Sequence, residues 1–311
     1  MHSAPKLNIC CELSFFLSIL LIGISTGLSC SNPDPTKAVS EQNDIHFGEN
    51  KTIEENLLLA IGNTDIAVGT NRMIFAIIDK INGPIIHDEV KVNYYYIGST
   101  TTLEFQVSAK FVKWPMSNKG VYVSHASFDK AGRWGISVIT PNGTHDVQAG
   151  IIVKDQSDTL SVGTPVPASI NKTSKDVSDL SELTTSPIPS PQLYKLTIAE
   201  AINNGRPTVL TFATPAFCST TTCGPQVEII SSLSTLYKNS VNFIHIEIYE
   251  HPNNISGNPY GANLSPIVME WNIKTEPFTF VIDNRGVLKY KYEGFVTEEE
   301  LVESIDKIAA Y

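Results

Sequence analysis

Phe212-Ala213-Thr214-Pro215-Ala216-Phe217-Cys218-Ser219-Thr220-Thr221-Thr222-Cys223-Gly224-Pro225 joins two segments of different period. Before it, Pro207 to Ala213 is an apolar run that reads as a buried strand. After it, Val227, Ile230, Leu233 and Tyr237 recur at helical spacing and share one face. Pro225 lacks an N–H and is tolerated only in a first helical turn, so the helix begins near Thr221 or Thr222 and Cys218 stays in the preceding loop. That boundary matters for the cysteines. Residues five apart in one continuous helix hold their Cα atoms farther apart than the roughly 7 Å a disulfide allows, so the helix cannot simply start at Cys218. A thiol beside a helix amino terminus meets unpaired N–H groups and the positive dipole end, which favour thiolate, the attacking species.

The surrounding segments fill in one α/β unit. Leu196 to Asn203 reads as a short helix, Val241 to Tyr249 as a strand and Ile267 to Trp271 as another short helix. Phe278 to Ile282 and Gly286 to Tyr290 form a hairpin around Asp283-Asn284-Arg285. Thr297, with Glu300 three residues on, is a capping box that opens a last helix carrying Leu301, Ile305 and Ile308 on one face. The order β-α-β-α-β-β-α over residues 192–311 predicts an α/β sandwich.

That order, with Phe212 to Cys218, Cys223-Gly224-Pro225 and Glu276-Pro277-Phe278-Thr279-Phe280-Val281, resembles the thioredoxin superfamily over about residues 193–311. The resemblance implies a nucleophilic first cysteine, a second that resolves the mixed disulfide, and a cis-proline facing them, for which Pro277 occupies the matching place. Cys218 ends the strand loop as the family nucleophile does, while Cys223-Gly224-Pro225-Gln226 resembles the family's Cys-Gly-Pro-Cys with Gln last; the expectation falls on Cys218 as attacker. Two features depart from the family. Four residues separate the cysteines in place of two, and Thr211 and Phe212 occupy the stretch where many thioredoxins carry a buried proton-transfer acid. The activity implied is thiol-disulfide exchange, with protein thiols and disulfides as partners and no cofactor. Other readings share these residues: a plain structural disulfide, a redox-inactive binding protein, or a Sco-like copper chaperone drawing on His245 or His251. A peroxiredoxin-like peroxidase can carry its resolving cysteine at this spacing, but Pro215 stands where such enzymes place a Thr.

Residues 54–154 read as short strands: Asn56 to Ile61, Met73 to Ile78, Val90 to Ile97, Thr102 to Val107, Gly120 to Phe128, Trp134 to Thr140 and Gln148 to Val153. Asn82-Gly83, Lys130-Ala131-Gly132 and Pro141-Asn142-Gly143 punctuate them as turns. The expectation is an immunoglobulin-like β-sandwich lacking the cysteine pair of antibody domains, with Trp134 as a core anchor. Its histidines, His87, His125 and His145, are scattered and form no copper set with Met73 and Met116. Residues 155–191, rich in Ser, Thr, Pro and Asp, read as a linker between the halves.

Residues 1–30 have the shape of an export signal. Lys6 precedes an uncharged run of 16 residues, Leu13 to Leu28, short of the about 20 that span a bilayer. Ser29-Cys30 resembles a bacterial lipobox, in which the cysteine is acylated, although Gly27 stands where Leu is usual. Residues 31–53 then read as a tether, and whether Cys30 is acylated, the signal is simply cleaved or it stays as an anchor, the folded part is expected outside the cytoplasm, with a lipid anchor as the leading reading. Cys10 and Cys11 fall in the signal, so the exported chain keeps Cys218 and Cys223, which in an oxidising compartment are a disulfide or a redox pair. No further Cys pair or His-x-x-x-His offers a structural zinc site. The balance of 22 Lys+Arg against 32 Asp+Glu, net −10, leaves no cationic surplus for nucleic acid. Hydrophobic residues at 42% and charged ones at 17% exclude global disorder.

Overall fold

The computed structural model describes residues 56–115, 117–141 and 146–309. The signal, Cys30, the 31–53 tether, Met116 and His145 lie outside the described residues.

The first half is built on β1 (Leu57–Ile61), β2 (Gly69–Asp79), β3 (Gly83–Ile85), β4 (Glu89–Ile97), β5 (Thr101–Lys113), β6 (Gly120–Phe128), β7 (Gly132–Ile139) and β8 (Asp146–Val153). Alternation selects the buried face: on β4, Val90, Val92 and Tyr94 point inward while Glu89 and Lys91 stay exposed. These side chains meet Met73, Phe75, Tyr122, Phe128 and Trp134 in one core. Trp134 is 1% exposed, its indole N–H donates to Lys130 O (3.2 Å), and it packs edge-on against Phe128.

The strands join in one eight-stranded sheet, ordered β1-β2-β6-β5-β4-β7-β8 with β3 beside β2, rather than in two separate sheets. The reason lies in two long strands. β2 pairs β6 over Gly69 to Phe75 and β1 over Phe75 to Asp79, and β5 pairs β4 up to Lys110 and β6 from Lys110 on. Strands that change partner in this way carry hydrogen bonding around a corner. A parallel bridge from Ala67 to Lys154 links the far edges, with Lys154 N–H donating to Ile66 O and Val68 N–H to Lys154 O, both 2.9 Å.

The second half has a four-stranded sheet ordered β10 (Asn242–Glu247), β9 (Thr208–Ala213), β11 (Phe278–Ile282) and β12 (Leu288–Glu293). β9 and β10 are parallel, while β11 is antiparallel to both β9 and β12. Every residue of β9 is buried, so its two faces feed two cores. Val209 and Ala213 meet α2 (Cys223–Leu236) and α4 (Glu298–Ala309) through Val227, Ile230, Leu301 and Ile305. Leu210 and Phe212 meet α1 (Ile198–Ile202) and α3 (Pro266–Glu270) through Ile198, Ala201, Val268 and the adjoining Trp271. The capping box forms as its spacing requires: Thr297 Oγ1 accepts Glu300 N–H and the Glu300 carboxylate accepts Thr297 N–H, each at 3.2 Å. Helices on both faces of a central parallel pair extended by an antiparallel hairpin give the α/β sandwich that the element order predicts.

Composition reads residues 155–191 as a spacer, but here they pack on the second sheet. Gly163 N–H donates to Leu288 O and Leu288 N–H to Thr164 O, adding a bridge to β12. Val166 and Leu183 enter the two cores. The hydroxyls that suggested a solvated chain are buried partners: Ser169 Oγ accepts the Trp271 indole N–H at 2.9 Å, and Ser169, Thr173 and Thr184 are all buried.

The described residues of the two halves and of the stretch between them fall in one compact unit. Arg72 of β2 places Nε and Nη2 on the Glu300 carboxylate at 2.8 and 2.9 Å, and Nη2 also donates to Phe295 O. Asp65 accepts from Ser157, from Thr159 Oγ1 (2.7 Å) and from Lys291 Nζ (2.9 Å). Burial alone would raise the Asp65 carboxyl, but these hydrogen bonds and the Lys291 charge outweigh it and hold it well below the usual carboxylate range.

Candidate functional site

α2 begins at Cys223 with Thr222 as N-cap, and Pro225 sits in the first turn where its missing N–H costs nothing. Cys218 lies in the preceding loop, in agreement with the sequence reading. The four intervening residues turn back on themselves. Thr221 N–H donates to Cys218 O (3.5 Å), and Thr221 takes φ +63°, a left-handed conformation uncommon for a β-branched residue. The turn brings the two Cα atoms to 5.8 Å, and the sulfurs are joined as a disulfide.

The two sulfurs differ in setting. Cys223 is fully buried against Val227 and Ile230, whereas Cys218 is half-buried at the surface. The Thr222 side chain does not cap the helix; Cys218 Sγ does, accepting the Cys223 N–H at 3.2 Å, with Thr220 Oγ1 at 3.3 Å. Cys218 is therefore the sulfur placed where a thiolate is stabilised by the helix end and reached from outside. Gln226, in the last place of the Cys-Gly-Pro-Gln stretch, is buried and its Oε1 accepts Val296 N–H at 2.9 Å.

The loop before Cys218 is held from the 155–191 stretch. Thr185 Oγ1 accepts Ala216 N–H (3.0 Å) and donates to Glu247 (2.9 Å), which also accepts Thr185 N–H. Burial raises the Glu247 carboxyl above its ordinary range. Phe217, the residue before Cys218, packs edge-on against Tyr249.

The Glu276–Pro277 peptide is cis and Pro277 is buried, with its carbonyl accepting Gly294 N–H at 2.9 Å. Glu276 was not singled out by the sequence reading, yet its carboxylate and the two sulfurs lie within 4.8 Å of one another. The available signal was its place beside Pro277. With the sulfurs bonded to each other, neither presents a thiolate to a metal. Thr211 and Phe212 are buried in β9, Thr211 sharing a hydrogen bond with Thr279 (3.0 Å).

His245 stands apart from the sulfurs. Its Nδ1 meets Tyr194 Oη at 2.8 Å and its Nε2 meets Ala213 O at 3.1 Å, and burial lowers its pKa to about 4. His251 is exposed beside Glu250. Neither joins the cluster formed by Cys218, Cys223 and Glu276. A groove of about 560 Å³ opens next to Glu276, lined by Tyr249, Leu264, Val268, Met269 and Ile273. A separate cavity of about 180 Å³ beside Tyr194, His245 and Glu247 includes neither cysteine in its lining. Among the described residues no helix is long and apolar enough to cross a membrane.

No protein-family model matches the chain, and no characterised protein matches it by sequence. Among solved structures, it is similar to a thiol:disulfide interchange protein of the thioredoxin family from Chlorobium tepidum, at 16% identity over 41% of this chain and 97% of that one, TM-score 0.30. It is also similar to the exposed lipoprotein thioredoxin Etrx1 of Streptococcus pneumoniae, at 13% identity over 34% and 87% of the two chains, TM-score 0.25. A third is the C-terminal domain of a thiol-disulfide oxidoreductase from Bacteroides thetaiotaomicron, at 15% identity over 42% and 98%, TM-score 0.25.

Proposed function

We propose that the protein is an extracytoplasmic thiol-disulfide oxidoreductase, anchored to the membrane by a lipid on Cys30, that exchanges with protein thiols and disulfides. The observation that carries this reading is the Cys218–Cys223 disulfide at the amino terminus of α2, with the outer sulfur accepting the helix N–H and the inner one buried.

In the reducing direction, the Cys218 thiolate attacks a substrate disulfide R–S–S–R′ and expels R′S⁻, leaving a Cys218–S–S–R mixed disulfide. Cys223, deprotonated, then attacks Cys218 Sγ and RS⁻ departs. Two electrons pass to the substrate and the protein is left with the intramolecular disulfide; the second attack is unimolecular and needs no diffusion. Pro277 belongs on the substrate side of the pair, where its loop presents backbone groups to an extended segment. The all-β first half serves as the support that holds this domain or a partner. Insulin reduction by the purified chain, with a thiol as electron source, tests the reading: turnover that disappears in Cys218→Ser supports it, and absence of exchange at both cysteines ends it. A Sco-like copper site lacks support, because His245 is committed to Tyr194 and Ala213.

A further inference from the structure

We propose that Glu276 is the proton acceptor for the Cys223 thiol and returns that proton when the disulfide is opened, a catalytic role that rests on the exchange activity proposed above. Cys223 is 0% exposed, so its proton has no direct path to water and must leave through a protein group. Glu276 is the carboxylate within 4.8 Å of both sulfurs, and no other described carboxylate or imidazole shares that cluster.

Its approach is fixed from several sides. Ser219 N–H, in the turn between the cysteines, donates to the Glu276 side chain. On one side of it Thr275 Oγ1 donates to Glu293 at 2.8 Å, and on the other Pro277 O accepts Gly294 N–H. The neighbouring titratable groups do not compete for the role. Tyr249, near the end of β10, faces Glu276 and is kept a neutral phenol by burial and by the Glu276 charge. Lys274 is paired with Asp158 at 2.7 Å, and Glu247 is turned to Thr185. Burial raises the Glu276 carboxyl above its ordinary range, which makes its carboxylate a stronger base than a solvated one.

The step balances. In the mixed disulfide, Glu276 takes the Cys223 proton, the Cys223 sulfur bonds to Cys218 Sγ, and the electron pair of the broken S–S bond leaves on RS⁻, which is protonated from Glu276 or water. In reverse, a substrate thiolate attacks Cys218, and protonated Glu276 gives its proton to the departing Cys223 sulfur.

The reduced full-length chain, mixed with DTNB, separates the two half-reactions, because each releases one coloured thiolate: the first on attack by Cys218, the second on resolution by Cys223. A Cys218→Ser/Cys223→Ser variant supplies the background from other thiols. In Glu276→Gln the ratio of the second-phase rate to the first-phase rate of the same variant is expected to fall about 100-fold at neutral pH. The wild-type second phase falls as pH drops through the Glu276 titration; that limb is absent in Glu276→Gln. Glu276→Asp, which keeps a carboxylate on a shorter arm, is expected to retain the limb at an intermediate rate and carries the test if the Gln variant does not fold. Equal second phases with the same pH limb in wild type and Glu276→Gln, or in wild type and Glu276→Asp should that variant alone fold, overturn the proposal and leave the exchange activity standing. A wild-type chain that releases no thiolate above background overturns the exchange activity itself.

Discussion

Thr64, between β1 and β2, donates its hydroxyl to Glu293 of β12 at 2.6 Å, and the same Glu293 oxygen accepts the Thr275 hydroxyl at 2.8 Å. Thr64 N–H adds contacts of 2.9 and 3.0 Å to the two carboxylate oxygens. A carboxylate that is 6% exposed thus ties the first half of the chain to the residue preceding Glu276. The all-β half therefore reaches the loop that carries Glu276 through this carboxylate, and what it contributes there is position.

Removing the shared acceptor strands all of its donors at once. Glu293→Ala is expected to destabilise the protein by about 3 kcal/mol, while Thr64→Val, which loses one hydroxyl bond and keeps its shape, costs about 1 kcal/mol. Urea titrations of the two single variants and the double variant form a cycle. Because Thr64 has no acceptor left once Glu293 is gone, Thr64→Val should cost almost nothing in the Glu293→Ala background; full additivity would deny the coupling.

His245 sets a stability slope in mild acid. Its folded pKa is lowered to about 4 by burial, against about 6.5 for an unfolded histidine, so the unfolded chain binds the extra proton. Stability from this group is complete above pH about 6.5 and is lost progressively down to pH about 4, in total some 3 kcal/mol. Glu247, raised by burial, works in the opposite direction, so the informative quantity is the difference between wild type and His245→Gln. Urea midpoints at pH 7 and pH 5 should converge between the two proteins as the medium is acidified. A constant gap would show that His245 does not titrate as its burial requires.

Much of the second half was legible because its signals are local. Pro225 fixed the helix start to within a residue or two of Thr222, and the Thr297–Glu300 spacing marked the start of α4. Glu276 was invisible for a different reason: nothing in Glu276-Pro277 says that the turn at Thr221 will fold the sulfurs back toward it. Residues 155–191 misled because composition counts hydroxyls as water-seeking, whereas Ser169 and Thr185 spend theirs on an indole N–H, a buried carboxylate and a loop N–H. The start of β2, Gly69 to Arg72, and the end of β5, Ser108 to Lys113, were missed because they are polar or irregularly patterned, and both pair with β6, which joins the strands into one sheet.

The attachment proposed at Cys30 is separable from the exchange proposed at the disulfide. Cys30→Ser is expected to move the protein from the membrane fraction to the soluble extracytoplasmic fraction without changing insulin reduction per molecule. Retention in the membrane fraction would remove lipid attachment at this residue as the anchor.

The contrast between a half-buried Cys218 and a fully buried Cys223 predicts which variant captures substrates. If Cys218 attacks first, Cys223→Ser leaves the mixed disulfide with no resolving thiol, and partner proteins accumulate as adducts on non-reducing gels. Cys218→Ser should give none, because Cys223 Sγ is covered by Val227, Ile230 and their neighbours and meets no substrate sulfur. Adducts should collapse to free chain on adding excess dithiol. The reverse pattern, capture by Cys218→Ser alone, would assign the attack to Cys223 and require the Ser219–Thr222 turn to swing away from the helix end before any exchange begins.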